Sequence, residues 1–228
     1  MRHKPWSNRR ITVFTLILTV LAIVLTLLLS LSNHCYTPRQ TVHAVEQQAL
    51  LHPTALAAKG AFPSLQDSSD NDRGWQLWEN DDVVLFLRFN TTTILPLPLS
   101  PLECSYYIVP KTPGQPVCVD ACSLPGENLF CVFGCIEGSD VQQIAVTVLL
   151  CDEGRGGSQE QTCTVSLDTA SMTLHDGDYY FAAESSFISK TEWRWPSASP
   201  VQATLTLRDG STQSFPIDTS DTDIGVAP

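Results

Sequence analysis

The chain has 228 residues, and its 24 acidic side chains outnumber 13 basic ones, which gives a formal net charge of −11. Four of the basic residues lie in the first ten positions, so residues 33–228 hold nine basic and all 24 acidic residues, a net charge of −15. This acidic character argues against binding to nucleic acid or to anionic lipid, because both select basic surfaces. It suits a soluble domain outside the cytosol whose copies repel one another.

An uncharged, apolar run of 21 residues from Ile11 to Leu31 follows the basic N-terminus. As a helix it reaches roughly 30 Å, the thickness of the hydrocarbon core of a bilayer. The basic residues before it predict residues 1–10 in the cytosol and everything after residue 32 exported. We therefore predict a signal anchor over residues 11–32 and a single-pass type II protein of the secretory pathway or cell surface. The alternative is a cleaved secretory signal that ends near Ser32.

Residues 33–74 are predicted to form a stalk or linker between the membrane and a folded domain. Weak helical periodicity from Val45 to Ala58 is interrupted by Pro53. The polar run from Gln66 to Asp72 is typical of a linker. At the other end of the chain, residues 218–228 are predicted to form a flexible tail.

From Trp75 onward the hydrophobic pattern changes to a period of two. Apolar residues alternate with their neighbours over residues 83–89, 144–150, 162–167 and 201–207. Alternation rich in valine and threonine predicts half-buried antiparallel strands. We predict one all-β domain over residues 75–217, an antiparallel, β-sandwich-like ectodomain stabilised by disulfides.

The segment from Asp176 to Ala182 resembles the corner of immunoglobulin-like domains in its architecture. In those domains a tyrosine near the start of a strand bonds back to nearby backbone, two residues before a cysteine. Tyr180 occupies the tyrosine position, whereas Ala182 stands where those domains have the cysteine. The resemblance implies a sandwich architecture and no specific activity.

Eight cysteines follow the apolar run, and disulfides are the default for an exported domain. The positions of Cys118 and Cys135 have the same sum as those of Cys122 and Cys131. An antiparallel hairpin that turns at Pro125–Gly126 produces such nested pairs. We therefore predict the disulfides Cys118–Cys135 and Cys122–Cys131, although other pairings or a zinc site formed by the four residues are alternatives.

A third disulfide, Cys151–Cys163, is predicted to close the glycine-rich loop between these residues, and such a loop contributes roughly 3 kcal/mol in the chain-entropy model. Cys35 and Cys104 then remain. One possibility is a bond between them that ties the stalk to the domain. A second, which we favour, is a bond between Cys35 and its twin in a second chain, which gives a disulfide-linked homodimer, and the third is that both remain free thiols.

Two further motifs point outward from the domain. Asn90-Thr91-Thr92 is an N-glycosylation acceptor at the end of a predicted strand. Trp193 and Trp195 flank Arg194 and are predicted to share one strand face. Because exposed tryptophans stack on sugar rings or anchor protein partners, we predict that Trp193, Arg194 and Trp195 bind a partner.

The expected function is recognition of a protein or glycan by the exported domain, without catalysis. No Gly-x-Ser-x-Gly elbow is present, and we expect no catalytic residues, no metal and no other cofactor. One alternative is an accessory membrane subunit that assembles through its ectodomain. A second is a small secretory-pathway hydrolase or glycosyltransferase-like enzyme, suggested by acid-x-acid triplets such as Asp176-Gly177-Asp178.

Overall fold

The structure is a computed structural model that describes residues 8–32, 37–63, 72–91, 103–124, 129–138, 140–152, 159–187, 197–220 and 222–226. Over these residues the chain forms two α-helices, followed by strands that occupy most of the rest. The elements are α1 (Asn8–Ser32), α2 (Pro38–Gln48), β1 (Ala55–Ala61), β2 (Asp72–Glu79), β3 (Val83–Thr91), β4 (Glu103–Pro110), β5 (Val117–Ser123), β6 (Leu129–Ile136), β7 (Val141–Asp152), β8 (Gln159–Asp168), β9 (Thr173–His175), β10 (Asp178–Ser186), β11 (Ser197–Leu207), β12 (Thr212–Pro216) and β13 (Asp223–Val226).

The strands form three antiparallel sheets. Sheet A has the order β1-β2-β3-β4-β13, sheet B the order β5-β6-β10-β9, and sheet C the order β12-β11-β7-β8. The four segments with a period of two coincide with β3, β7, β8 and β11. The prediction of an all-β, antiparallel domain is therefore confirmed.

Sheet B lies between the other two sheets. One hydrophobic core joins it to sheet C, with Val119 and Val132 packed against Val146 and Val148. A second core joins its other face to sheet A, where the Phe86 and Phe133 rings stack with centroids 4.0 Å apart. Because both faces of sheet B are covered, β5 and β6 are buried almost throughout and show no alternation of apolar and polar residues.

Helix α2 covers the outer face of sheet A and adds a fourth layer. Val42 and Val45 are buried against Leu85 and Leu87 of β3. Strand β1 pairs with β2 along the edge of the same sheet. Residues 38–48 and 55–61 therefore belong to the domain, whereas the sequence predicted a stalk over 33–74. The difference arises because the short apolar stripe of α2 gains its stability from packing on the sheet.

The C-terminal segment also differs from the predicted flexible tail. Strand β13 pairs with β4, with Asp223 opposite Ile108 and Val226 opposite Ser105. A strand of four residues is too short to show a period, so its pairing was not visible in the sequence.

Helix α1 has 25 residues, and its side chains are described for residues 12–25. All of these side chains are exposed, including ten large apolar ones: Val13, Phe14, Leu16, Ile17, Leu18, Val20, Leu21, Ile23, Val24 and Leu25. Within the part of the chain that the structure describes, no helix has the length and hydropathy needed to cross a membrane.

Candidate functional site

The start of α2 is fixed by its N-terminal cap. The Thr37 side chain accepts a hydrogen bond from the Gln40 backbone N–H at 3.2 Å, and the Gln40 side chain accepts one from the Thr37 N–H at 3.1 Å. This reciprocal pair is a capping box, and Pro38 in the first turn has a backbone suited to a helix start. The cap sets which side chains of α2 face the sheet and which face the neighbouring loop.

A cleft of about 520 Å³ opens between α2, the loop that follows it and strand β2. Its lining includes the guanidinium of Arg39 and the imidazole of His43. One of its walls is the indole of Trp78. The Trp78 Nε1–H donates to Gln76 Oε1 at 3.0 Å, which holds the indole in place. The remaining lining residues are Gln40, Val42, Glu46, Pro53 and Thr54.

Glu46 joins the two walls of this cleft. Its Oε1 accepts hydrogen bonds from the Thr54 backbone N–H at 2.6 Å and from the Thr54 hydroxyl at 2.7 Å. Burial acts to raise the pKa of Glu46, but the Thr54 hydrogen bonds and His43 outweigh it and hold that pKa below its usual value. Glu46 therefore stays ionised at neutral pH, and its carboxylate joins α2 to Thr54 across the cleft.

His43 is an exposed polar group of the cleft, with 69% of its side chain accessible. Its Nδ1 lies 3.4 Å from Glu46 Oε2, and its Nε2 lies 3.1 Å from Gln47 Nε2. These contacts orient the imidazole beside Arg39. The Thr54 hydroxyl donates to the Glu46 carboxylate, so the two side chains form one hydrogen-bonded wall of the cleft.

A second group of chemically distinctive side chains lies inside the domain, on the β5–β6 hairpin. Cys118 is directly opposite Cys135, and Cys122 is directly opposite Cys131. The register that the sequence predicted for this hairpin is therefore confirmed, while Pro125–Gly126 lies outside the described residues. All four side chains are buried and face sheet A.

No disulfide joins the cysteines that the structure describes, which also include Cys104, Cys151 and Cys163. The expectation of a disulfide-stabilised domain is therefore not supported. For Cys151–Cys163 the register gives a physical reason as well. Cys151 is opposite Glu160, whereas Cys163 is opposite Val148, so the two cysteines point to opposite faces of sheet C.

A cation lies close to the inner thiol pair. A hydrogen bond from Cys131 lowers the pKa of the Cys122 thiol, and the positive charge of Arg88 acts in the same direction against the effect of burial. The Arg88 Nη1–H donates to the Ser123 carbonyl oxygen at 3.0 Å, which anchors the guanidinium beside the hairpin. Burial raises the pKa of Cys131, so Cys122 is the thiol of this pair that ionises more readily.

The outer pair has a cation of its own. Lys111 Nζ donates to Glu79 Oε2 at 2.7 Å, and both side chains are largely buried. The Lys111 charge favours the thiolate of Cys118, although a hydrogen bond with Cys135 and burial raise the pKa of Cys118 overall. The Tyr180 hydroxyl also interacts with Glu79. Tyr180 therefore contacts sheet A, unlike the immunoglobulin-type corner that its sequence context resembles.

Asp120 lies between the two thiol pairs and is 4% exposed. Burial raises its pKa to about 6, opposed by hydrogen bonds from the Ala121 N–H and the Thr222 side chain. Its Oδ1 accepts from the Ala121 N–H at 2.7 Å. A buried carboxylate with this pKa is costly to keep charged at neutral pH.

Several predicted site residues lie outside the described part of the chain, namely Cys35, Trp193, Arg194 and Trp195. Asn90 lies near the end of β3, and its side chain is not described. Cys104 lies beneath α2, where its Sγ is 3.7 Å from Thr41 Oγ1. Among the described residues, no group of three or more His, Cys, Asp or Glu side chains could hold a metal ion.

The residues of the cleft were missed by the sequence reasoning. The signal that would have found them is the sequence Thr37-Pro38-Arg39-Gln40, which has the spacing of a capping box with proline at the first helical position. It places a helix start at Pro38 and hence Arg39 and His43 on one side of a short helix. Comparison with known proteins adds no assignment, because no protein-family model, no curated protein and no solved structure matches this chain.

Proposed function

We propose that this chain is a single-pass type II membrane protein that presents its β domain outside the cytosol to bind a glycan, without turning it over. The anchor is residues 11–32, which include most of α1. Two features support it: the uncharged run from Ile11 to Leu31, and the exposure of the described large apolar side chains on all sides of α1. Apolar side chains on all sides of a helix require an apolar surrounding.

The cleft beside α2 is the observation that carries the binding part of the proposal. An indole wall provides a flat apolar surface on which one face of a sugar ring can stack. Arg39, Gln40 and His43 supply planar polar groups around it, which suit hydroxyl and carboxylate groups. Since the Glu46 carboxylate is held by Thr54, the Arg39 guanidinium is the charged group of the described lining that remains for a ligand, and it favours an acidic sugar.

Two further proposals come from the sequence alone and concern residues outside the described ranges. Trp193, Arg194 and Trp195 form a second contact for the same glycan or for a protein partner. Cys35 links two chains through a disulfide beside the membrane, which a Cys35→Ser variant would abolish on a non-reducing gel.

The full-length protein, purified in detergent, should be applied to an array of neutral and acidic glycans. We expect binding to glycans with a carboxylate or sulfate group. Arg39→Ala and His43→Ala should each weaken it at least about tenfold, which corresponds to the loss of one charge-assisted hydrogen bond. Lys59→Ala is the matched control, because Lys59 is an exposed cation on β1 outside the cleft lining.

The proposal fails if no glycan binds above background, or if Arg39→Ala and Lys59→Ala bind as the wild type does. Binding of a protein partner with no dependence on Arg39 or His43 would place recognition elsewhere on the domain.

A further inference from the structure

The β5–β6 hairpin holds its two thiol pairs in the positions that cross-strand disulfides require. Directly opposite residues of an antiparallel pair have Cα atoms about 4.5–5.5 Å apart, within the range that a disulfide spans. Cys118–Cys135 and Cys122–Cys131 both satisfy this condition in one uninterrupted register. Gly134 allows the close approach, because a Cβ at this position would collide with the backbone carbonyl of Cys118.

Each pair also has a cation beside it that favours a thiolate. Arg88 acts on Cys122 in the inner pair, and Lys111 acts on Cys118 in the outer pair. Both cations belong to sheet A, since Arg88 is in β3 and Lys111 directly follows β4, so they act on the thiols of the folded domain and not on the hairpin before sheet A packs. In the strand pairs, Cys104 is opposite Phe89, Cys151 is opposite Glu160 and Cys163 is opposite Val148.

Access to the four thiols is closed in the folded domain. Cys131 and Cys135 are fully buried, and Cys118 and Cys122 are no more than 7% exposed. The layer that covers them is sheet A, whose Phe86 and Tyr107 rings pack against Phe133 between the pairs. An oxidoreductase can therefore reach the thiols only before sheet A packs on the hairpin.

We propose that the β5–β6 hairpin is a modification site, oxidised to the cross-strand disulfides Cys118–Cys135 and Cys122–Cys131 before sheet A closes over it. The proposal rests on the proposed function, because export brings the chain to an oxidising compartment. Sheet A then shields both bonds from reduction in the folded protein. Cys104, Cys151 and Cys163 do not take part.

The reaction requires a thiol–disulfide oxidoreductase of the exported compartment as the oxidant. In the inner pair, the Cys122 thiolate attacks the disulfide of that enzyme and releases one of its sulfurs as a thiolate. The Cys131 thiolate then attacks the mixed disulfide and releases the second sulfur. The hairpin gives up two thiol protons and two electrons for each bond, and the enzyme leaves as its dithiol. The outer pair, Cys118 and Cys135, follows the same steps.

The test uses full-length protein extracted from membranes, with free thiols blocked by alkylation under denaturing conditions. Cleavage after Glu127 separates the two cysteines of β5 from the two of β6. We expect the fragments to stay joined until a reductant is added, and to carry no alkyl group on the four hairpin cysteines. Further cleavage at Asp120 and Phe133 isolates the four positions and should yield the pairs 118–135 and 122–131.

The native protein should also resist reduction, with both bonds reduced only after a denaturant is added. Fragments that separate after cleavage at Glu127, or four alkylated hairpin cysteines, would overturn the proposal. Rapid reduction of the two disulfides in the native protein would overturn the proposed order, in which the disulfides form before sheet A packs on the hairpin. Two variants are the controls. In Cys104→Ala the hairpin fragments should stay joined. In the quadruple variant that replaces all four hairpin cysteines by alanine (Cys118, Cys122, Cys131 and Cys135), the fragments should separate.

The failure of this proposal is distinguishable from failure of the proposed function. If the protein resists carbonate extraction and binds glycan but its hairpin cysteines are alkylated, only the disulfide inference is wrong. If the chain is instead recovered in the cytosol with all thiols free, the assignment of an exported domain is wrong as well.

Discussion

Glu46 of α2 and Thr54, the residue before β1, are joined by two hydrogen bonds to one carboxylate oxygen, at 2.6 and 2.7 Å. This contact ties the helix to the edge of sheet A and forms the end of the cleft. It lies in a region that the sequence predicted to be a linker. The folded domain therefore begins close to the C-terminal end of α1, only a few residues after Ser32.

The charge of Glu46 should contribute to stability at neutral pH and not in acid. Its folded pKa is below its ordinary value, so the contribution is present above about pH 4.5 and is lost as the pH falls through the folded pKa. Glu46→Gln should cost about 1 kcal/mol at pH 7 and much less at pH 3. Urea unfolding at both pH values measures this, with the exposed Glu137→Gln as control. An equal difference from wild type at pH 7 and pH 3 would contradict the role of the charge.

Asp120 should have the opposite effect on stability. Because burial raises its pKa to about 6, the folded state binds the proton more tightly than the unfolded state, whose pKa is near 3.8. Stability therefore falls as the pH rises from about 4 to 6 and stays lower above that range. Asp120→Asn should remove this fall and stabilise the domain at pH 7 by up to about 3 kcal/mol.

Thermal or urea unfolding across pH 4–8 tests the Asp120 prediction. Asp81→Asn, at an exposed position in the β2–β3 turn, changes the same charge without burial and should leave the pH profile unchanged. An Asp120→Asn variant that is less stable than wild type at pH 7 would show that the charged form is the favoured one.

Gly134 should be intolerant of any side chain. Its φ is +155°, and a Cβ would collide with the Cys118 carbonyl oxygen and the Val119 Cα. Gly134→Ala should therefore push β5 away from β6 and cost more than about 2 kcal/mol. Gly138→Ala is the control, since Gly138 also has a positive φ of +91° but has open space around it. Backbone strain alone predicts about 1 kcal/mol for that variant, and equal losses at the two positions would refute the steric argument.

The Lys111–Glu79 ion pair should show strong coupling in a double-mutant cycle. The two side chains are 12% and 16% exposed, so removing one leaves a largely buried charge without its partner. Lys111→Met alone should cost about 3 kcal/mol, and adding Glu79→Gln should recover much of that loss. The measurement is the free energy of unfolding of the wild type, both single variants and the double variant. Additive losses would mean that solvent screens the pair.

The sequence was most informative where one face of a strand is buried and the other is not. The segments around Ile144 and Val201 alternate because of this asymmetry and are strands in the structure, whereas the strand that begins at Val83 is buried on both faces. The equal spacing of the four central cysteines predicted the register of the β5–β6 hairpin, because residues opposite each other in an antiparallel pair have a constant sum of positions.

Periodicity could not reveal which layers pack on each other. The hairpin is covered on both faces, so its residues do not alternate, and the third sheet was not predicted. The Cys151–Cys163 prediction relied on loop size, which does not determine the face to which a side chain points. The cleft was missed because the stalk prediction for residues 33–74 relied on Pro53, which interrupts the weak periodicity from Val45 to Ala58, and did not use the capping box at Thr37.

The central claim is that the chain is held in the membrane by its N-terminal segment with the β domain on the far side from the cytosol. The most direct measurement is carbonate extraction combined with protease digestion of sealed membranes that carry the full-length chain with a C-terminal tag. The account predicts that the chain stays in the carbonate pellet and that the tag survives protease until detergent opens the membranes. Release of the full-length chain by carbonate, or loss of the tag in sealed membranes, would contradict it.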